Sequence, residues 1–191
     1  MSRKRRNSSP LDQTALRDLA LSYVARFSTT QAKLADYLRR KIRERGVAED
    51  TGELDVQAVV ERLVELKYVD DAAFAQARSA SLLRKGYGGR RVEQALRAAG
   101  IAESTRGDFA PDDVNARRSA LLLVQKRRFG PFGRDFGTDE RLDLAKREKQ
   151  IAAMVRAGHD FGTAKALIDA ASVEDAEQWV QEAEEWHDDA R

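Results

Sequence analysis

The sequence predicts an all-α protein, and three observations support that prediction. Apolar residues recur three or four positions apart along nearly the whole chain, which places them on one face of a helix. No segment alternates between apolar and polar residues for long, as a half-buried strand would. Aspartate or serine precedes many of the periodic segments and glycine follows them, and these residues are typical of helix starts and ends.

The first two helices are assigned from their caps. The first is expected to start near Ser9, because the Pro10 that follows it fits a first helical turn. Ser28 and Gln31 have the spacing of a capping box, in which each side chain satisfies a free backbone amide of the new helix. This second helix is expected to end at Gly46, since glycine adopts the left-handed cap conformation at the least cost.

Seven further helices are assigned in the same way. Residues 48–54, the segment through Gly107 and Pro111, and residues 129–138 are predicted to be loops, since they contain glycine or proline without an apolar period. The predicted starts of the remaining helices are Asp55, Asp70 or Asp71, Arg90, Asp112 or Asp113, residue 139, Phe161 and Ser172.

A short pattern recurs at three predicted helix ends. An apolar residue, three variable positions and a glycine occupy residues 42–46, 96–100 and 154–158, at nearly equal intervals. Such a recurrence predicts tandem three-helix units that stack on their neighbours in an array. The expected divisions are a basic N-terminus at residues 1–10, repeats at residues 11–68, 69–111 and 112–170, and an acidic C-terminal helix at residues 171–191.

The composition excludes several classes of protein. The chain of 191 residues has no cysteine and two histidines, which excludes disulfides, thiolate zinc sites and multi-histidine metal sites. No apolar run approaches the roughly 20 residues of a membrane span, and no apolar segment follows the basic N-terminus as it would in a signal peptide. A cytoplasmic protein without a membrane partner is therefore expected.

The sequence contains no recognisable catalytic motif. A P-loop, a dinucleotide-binding glycine motif, an HExxH helix and a nucleophile elbow are all absent. His159 and His187 each stand alone and are interpreted as surface or packing residues. The carboxylate pairs at residues 70–71 and 112–113 are interpreted as helix caps. We therefore expect a non-enzymatic protein with no cofactor and no metal.

The net charge of +2 conceals a strong asymmetry. Residues 71–134 carry 13 Lys and Arg against 6 Asp and Glu, whereas residues 171–191 carry 1 against 8. Cations at the helix ends of successive units are expected to form a stripe. Such a stripe binds a phosphate backbone or an acidic groove, and it does so in a salt-sensitive manner.

Two pairs of cations bracket a glycine-rich turn at residues 86–89, with the sequence Gly-Tyr-Gly-Gly. This turn is interpreted as mobile. Four cations on a mobile turn do little for a fold, which favours a binding role for them. Arg39 and Arg40 are instead interpreted as part of a solvated helix face.

Several segments, taken in order, resemble the RecX family. Residues 59–83 (VVERLVELKYVDDAAFAQARSASLL) are similar to its signature, a helix followed by Gly or Lys, Tyr, a hydrophobic residue, Asp-Asp, two variable positions and Phe-Ala. Residues 84–101 (RKGYGGRRVEQALRAAGI) resemble its basic turn and second helix. Residues 126–131 (KRRFGP) and 148–160 (EKQIAAMVRAGHD) resemble its third unit. The resemblance covers about residues 16–170.

The resemblance implies an elongated, curved helical protein that lies in the groove of the RecA filament. It would restrain the ATP hydrolysis, strand exchange and coprotease activity of RecA, and so damp the SOS response, without an active site of its own. Weak binding to single-stranded or duplex DNA through the basic stripe is expected, as is a monomer. Lys67 and Gly89 depart from the family pattern, which usually has glycine at the first position and often proline at the second.

Two sets of residues follow from the resemblance. The residues expected to contact the RecA filament or DNA are Arg84, Lys85, Arg90, Arg91, Arg97, Arg117, Arg118, Lys126, Arg127 and Arg128. The residues that match the family signature and are interpreted as structural are Tyr68, Asp70, Asp71 and Phe74. The aspartates are expected to cap a helix, and the aromatic residues to form a wedge between units.

Two other functions stay open. In an independent DNA-binding protein, residues 92–99 and 161–170 would be recognition helices, although neither carries the Arg, Asn and Gln pattern expected at base edges. In a generic helical scaffold, the acidic last helix would dock a partner through Trp179 and Trp186, although packing of the tail on the body is the favoured role of these residues. The acidic tail is also a candidate autoinhibitor that folds over the basic stripe.

Overall fold

The structure is a computed structural model that describes residues 9–133 and 140–189 and, within the second range, the side chains of residues 144–185. The described residues form ten α-helices, one 3-10 turn at Gly130–Phe132 and an isolated bridge between Leu11 and Val47. The all-α prediction is therefore confirmed. The helices are α1 (Gln13–Val24), α2 (Gln31–Arg45), α3 (Val56–Glu65), α4 (Asp71–Leu83), α5 (Gly89–Arg97), α6 (Glu103–Asp108), α7 (Asp113–Arg127), α8 (Glu140–Arg156), α9 (Phe161–Ile168) and α10 (Val173–Asp189).

All nine predicted helices are present, and α6 is an additional one that lies where a loop through Gly107 was predicted. The prediction missed α6 because none of its six residues is buried, so it has no apolar stripe to detect. The loop predicted at residues 129–138 contains the 3-10 turn, and residues 134–139 lie outside the described part of the chain.

Two predicted helix starts are wrong. Asp12, not Ser9, caps α1, and its carboxylate accepts a hydrogen bond from the Ala15 amide at 2.7 Å. Thr30, not Ser28, caps α2, because its hydroxyl oxygen accepts from the third amide of that helix. The caps predicted at Asp55, Asp112 and Ser172 are confirmed, since each side chain accepts from the backbone amide three positions on.

The chain divides into two compact units. The first comprises Met1–Phe74 and Ala99–Ile101, and the second comprises Ala75–Ala98 and Ala102–Arg191. In the first unit, α1, α2 and α3 bury a core of leucines and valines that includes Leu16, Leu34 and Val60. In the second, α7, α8, α9 and α10 pack around a core that includes Ala120, Val124, Met154, Leu167 and Ala176. Burial of these stripes is the main stabilising contribution, at roughly 25 cal/mol per Å² of apolar surface.

Helix α3 ends on a left-handed residue that is not glycine. Lys67 has a φ of 61°. Its amide donates to the Val64 carbonyl, and the Tyr68 amide donates to the Leu63 carbonyl, both at 2.9 Å. These are the two hydrogen bonds of a Schellman motif, in which glycine is the residue that meets no steric cost.

We expect Lys67→Gly to raise the free energy of unfolding by about 1 kcal/mol, because glycine removes the clash of Cβ in the left-handed region. Urea denaturation followed by circular dichroism measures the change. Lys67→Ala keeps the Cβ and is the matched control, with stability expected near that of the parent. Equal gains from both variants would assign the effect to loss of the lysine charge and contradict the backbone explanation.

Candidate cationic binding surface

The glycine-rich turn at residues 86–89 joins α4 to α5. Gly86 has a φ of 87°. Its amide donates to the Leu83 carbonyl at 2.8 Å, and the Tyr87 amide donates to the Leu82 carbonyl at 3.1 Å, which closes α4 with a Schellman motif. The Tyr87 ring packs against the core of the second unit. The turn is therefore anchored at its centre.

The same turn docks on the C-terminal end of α8. The Gly88 amide donates to the Ala157 carbonyl at 3.0 Å, and the Arg90 amide donates to the Gly158 carbonyl at 3.1 Å. Gly88 has no space for a side chain, since a Cβ there would lie 2.4 Å from the carbonyl carbon of Gly158. The turn is a packed element of the fold, and the interpretation of it as mobile is wrong.

The contact with the end of α8 limits the number of backbone amides that are free to bind an anion at this turn. A free helix N-terminus presents backbone amides that bind phosphate. At the start of α5, the amides of Gly88 and Arg90 already donate to the two carbonyls that follow α8, and the Arg91 amide donates to the Gly88 carbonyl at 3.0 Å. Three of the four amides from Gly88 to Arg91 are thus paired, so side chains supply most of the donors that an anion could meet at this turn.

His159 links the end of α8 to the turn. It is 3% exposed, and its Nε2 lies 3.0 Å from the Gly86 carbonyl oxygen. A carbonyl is an acceptor only, so the neutral ring carries its proton on Nε2 and donates to Gly86. Burial lowers the pKa of His159 from its ordinary value, and the hydrogen bond to Gly86 and the charge of Asp160 oppose this shift without cancelling it. His159 is a packing residue, as predicted; the side chain of His187 lies outside the described residues.

We expect the stability of the protein to fall as the pH drops below about 6.5, the ordinary pKa of histidine. The unfolded chain binds a proton on His159 more tightly than the folded protein does, so acid favours unfolding, and the contribution is complete above about pH 7. Thermal melts between about pH 5.5 and 8 measure this dependence. His159→Gln keeps an Nε2 donor without the titration and should flatten the curve. A curve equally steep in both proteins would show that other groups cause it.

Seven of the ten predicted contact residues are exposed cations that pair with no carboxylate among the described residues. Lys126 Nζ donates to the Arg84 carbonyl at 3.3 Å, which places the end of α7 beside the end of α4. The guanidinium groups of Arg91 and Arg127 each lie 5.9 Å from the ring centre of a neighbouring aromatic residue. These residues form the cationic surface: Arg84, Lys85, Arg90, Arg91, Lys126, Arg127 and Arg128.

The other three predicted residues have partners within the fold. Arg97 lies 3.6 Å from Glu93 on the same helix. Arg118 Nε lies 2.6 Å from a carboxylate oxygen of Glu184 on α10. The Arg118 guanidinium in turn lowers the pKa of Glu184. Both arginines are exposed but partly neutralised, so they are weaker candidates for binding a polyanion.

Arg117 is a packing residue between α7 and α10. Its guanidinium donates to the Trp179 carbonyl at 2.8 Å and lies 4.2 Å from the centre of the Trp179 ring. It also lies 2.9 Å from the carboxylate of Asp113, and its side chain is 22% exposed. A cation held by stacking, a carbonyl and a carboxylate has little left to offer a partner. Arg117 is therefore not one of the residues that we expect to contact RecA or DNA.

The acidic helix α10 packs on the body of the second unit. Ala176, Val180 and Ala183 are buried, and Trp179 packs against the core, which confirms the favoured role of that tryptophan. The side chain of Trp186 lies outside the described residues. Within the described part of α10, Glu184 pairs with Arg118, and no residue pairs with the cationic surface. The described part of α10 therefore contacts Arg117 and Arg118 and forms no ion pair with the cationic surface.

Of the two signature aspartates, one caps the predicted helix and the other bonds to a different helix. Asp70 accepts from the Ala73 amide at 2.9 Å and caps α4. Asp71 accepts from the Gln31 amide, also at 2.9 Å, and so joins the start of α4 to the start of α2 within the first unit. The aspartate pair thus satisfies one free amide of each of two helices.

One of the two signature aromatic residues differs from the prediction. Tyr68 is 59% exposed, so it is not a buried wedge; it directly follows the left-handed Lys67. Phe74 is half-buried, and the Lys33 ammonium lies 5.1 Å from its ring centre. Neither residue has a polar contact that would suggest a further chemical role.

One further cation beside the cationic surface was not among the predicted contact residues. Arg156 is exposed in the last turn of α8, two residues before Gly158. A Cβ at Gly158 would lie 2.7 Å from Cβ of Arg91, so the two elements meet at this point. A cation is expected at any helix C-terminus because of the helix dipole, and the sequence therefore gave no signal of a binding role.

The described side chains offer no place for a metal. Among them, no three His, Cys, Asp or Glu residues are grouped so that they could hold an ion. Among the described residues, none of the helices combines the length and the apolar content that a membrane span requires.

The fold and the surface define a helical protein that carries a group of exposed cations around a packed turn. Residues 70–107 match the model of the second three-helix domain of RecX. The chain is 32% identical over 164 residues to regulatory protein RecX of Myxococcus xanthus, with 82% of this chain and 85% of that protein covered. It is 31% identical over 171 residues to the RecX of Agrobacterium fabrum, with 87% and 88% covered. The chain belongs to the RecX family of regulatory proteins.

Solved structures share the fold. The chain superposes on the crystal structure of RecX from Lactobacillus salivarius with a TM-score of 0.64 and 16% identity, over 89% of this chain and 97% of that one. It superposes on a second crystal structure of regulatory protein RecX with a TM-score of 0.61 and 21% identity, over 82% and 70%. The resemblance found in the sequence is thus confirmed.

Proposed function

We propose that this chain is a non-enzymatic regulator of RecA. It binds in the groove of the RecA nucleoprotein filament and inhibits ATP hydrolysis, strand exchange and coprotease activity, which damps the SOS response. It acts in the cytoplasm as a monomer and needs no cofactor. Membership of the RecX family supports the regulatory role. The partner and the inhibitory effect come from the family resemblance.

One observation carries the mode of binding: seven exposed cations without carboxylate partners lie around the anchored turn and the end of α7. A nucleoprotein filament offers both phosphates and acidic protein surface to such cations. Because the turn is held by backbone hydrogen bonds to α8, the cations are positioned before binding. A preorganised surface loses less conformational entropy on association than a mobile one does.

Titration of preformed RecA filaments on single-stranded DNA tests the proposal. We expect a dose-dependent loss of ATP hydrolysis at concentrations of this protein well below that of RecA. An unrelated basic protein of similar charge is the control and should have no such effect. Unchanged ATP hydrolysis, with the protein folded and present in excess, would refute the proposal.

A second candidate function is independent binding to duplex DNA, and the exposed face of α5 favours it. Arg90, Gln94 and Arg97 all face solvent on this helix, while Val92 and Leu96 are buried. This pattern is not evident in the sequence alone, where the exposed residues of α5 cannot be told from the buried ones. A shift of palindromic duplex but not of random duplex, in the absence of RecA, would favour this candidate.

A further inference from the structure

Three aromatic rings form a stack at the surface of the first unit. The rings of Tyr23 and Tyr37 are nearly parallel, at 22°, with centres 4.2 Å apart. The Phe27 ring follows, with its centre 5.2 Å from that of Tyr23 and a tilt of 45°. Tyr23 is on α1, Tyr37 is on α2, and Phe27 lies just beyond the end of α1. We call these three residues the aromatic stack.

The stack is anchored at one end and open at the other. Tyr23 and Tyr37 are half-buried and pack against the core of the first unit. Phe27 is 55% exposed, although its amide is fixed by a hydrogen bond to the Tyr23 carbonyl at 3.0 Å. An exposed phenylalanine on a rigid neighbour offers an apolar ring face to solvent, with little conformational freedom to lose on binding.

Cations surround the stack. The Arg40 guanidinium lies 5.6 Å and the Lys41 ammonium 5.8 Å from the centre of the Tyr37 ring. Arg26, directly before Phe27, is exposed, and its side chain has no partner among the described residues. Glu44 is paired with Lys41 at 2.5 Å and with Arg40 at 3.8 Å. Its single negative charge does not neutralise the three cations, so the group has a net positive charge.

We infer that the aromatic stack binds an unstacked base of a single-stranded nucleic acid, with the neighbouring cations on its phosphates. Proteins bind single strands by this combination of aromatic faces and positive charge. A duplex hides its base faces inside the stacked helix, so the site is specific for single strands. It goes beyond the proposed function, because it needs no RecA and lies in the first unit, whereas the cationic surface belongs to the second.

The test separates base stacking from phosphate attraction with two oligonucleotides of equal length. One is oligo-dT, and the other has abasic sites in place of every base but keeps all phosphates. Anisotropy titrations should show that the intact protein prefers oligo-dT roughly ten-fold, because only this strand has a base that can stack on the Phe27 ring. Phe27→Ala should remove this preference and leave the affinity for the abasic strand unchanged.

Two further variants make the result specific. Phe27→Trp keeps an aromatic face and should retain the preference. Leu21→Ala removes an exposed apolar side chain of α1, which is 42% exposed, and should also retain it. Circular dichroism confirms that each variant is folded.

Equal affinities of the intact protein for the two oligonucleotides would overturn the inference. So would an unchanged preference in Phe27→Ala. A loss of filament inhibition in Phe27→Ala with unchanged oligonucleotide binding would assign the stack to a protein partner instead. Because no RecA is present in the binding assay, failure of this inference is distinguishable from failure of the proposed function.

Discussion

Reversing the charge of Arg90 and Arg91 is expected to remove most of the inhibition of RecA filaments while leaving the fold intact. Both side chains are exposed and pair with no carboxylate among the described residues. The variant R90E/R91E replaces two positive charges with two negative ones beside Arg84 and Lys85. We expect the concentration for half-inhibition of ATP hydrolysis to rise roughly ten-fold or more, since like charges at an interface repel.

The helix that carries these residues should tolerate the change. Arg90 and Arg91 lie in the first turn of α5, where carboxylates are favoured by the helix dipole. The hydrogen bonds that dock this turn on α8 come from backbone amides and do not involve the side chains. Far-ultraviolet circular dichroism of R90E/R91E should therefore match that of the parent.

A matched control separates a local effect from a change in net charge. Arg17 and Arg43 are exposed arginines of the first unit that pair with no carboxylate among the described residues, and R17E/R43E changes the net charge by the same amount. This control should inhibit as the parent does. Full inhibition by a folded R90E/R91E variant would exclude Arg90 and Arg91 from the contact. Equal loss in both double variants would show that net charge alone governs binding.

The helices were predictable because their causes are local. A helix is encoded by an apolar period and by caps within three or four residues, as at Asp55 and Asp112, and both signals are present in the sequence. The start of α2 was missed because its cause is distant. The Thr30 hydroxyl donates to the Ala99 carbonyl, 69 positions along the chain, and this contact favours Thr30 over Ser28 as the cap.

The candidate site was only partly predictable, because charge is visible in a sequence and pairing is not. The ten predicted cations could be read from the sequence because charge is a property of residue type. Nothing near Arg117 or Arg118 in the sequence indicates that Trp179 and Glu184, more than 60 positions away, hold them. The glycine-rich turn was misinterpreted for the same reason. Glycine is typical both of mobile segments and of close backbone contacts, and the contact with Gly158 is visible only in three dimensions.

Gly88→Ala is expected to cause the largest loss of stability among the predicted substitutions. The new Cβ would lie 2.4 Å from the carbonyl carbon and oxygen of Gly158, and 2.5 Å from the His159 amide nitrogen. Backbone atoms cannot rotate away as a flexible side chain can, so the turn must separate from α8. We expect the free energy of unfolding to fall by about 3 kcal/mol or more.

The effect should come from this contact rather than from backbone preference. Gly88 has a φ of −85°, which alanine adopts without strain. Gly107→Ala is the matched control: it lies in α6 with nothing within 4 Å of its Cβ position, and alanine is favoured within a helix by up to about 1 kcal/mol. Urea denaturation of both variants measures the difference.

Because the hydrogen bonds of Gly88 and Arg90 position the cations, a Gly88→Ala protein that still folds should inhibit RecA filaments less than Gly107→Ala. Equal free energies of unfolding for the two variants would mean that the turn moves away from α8 at little cost. That result would contradict the claim that the cationic surface is positioned before binding.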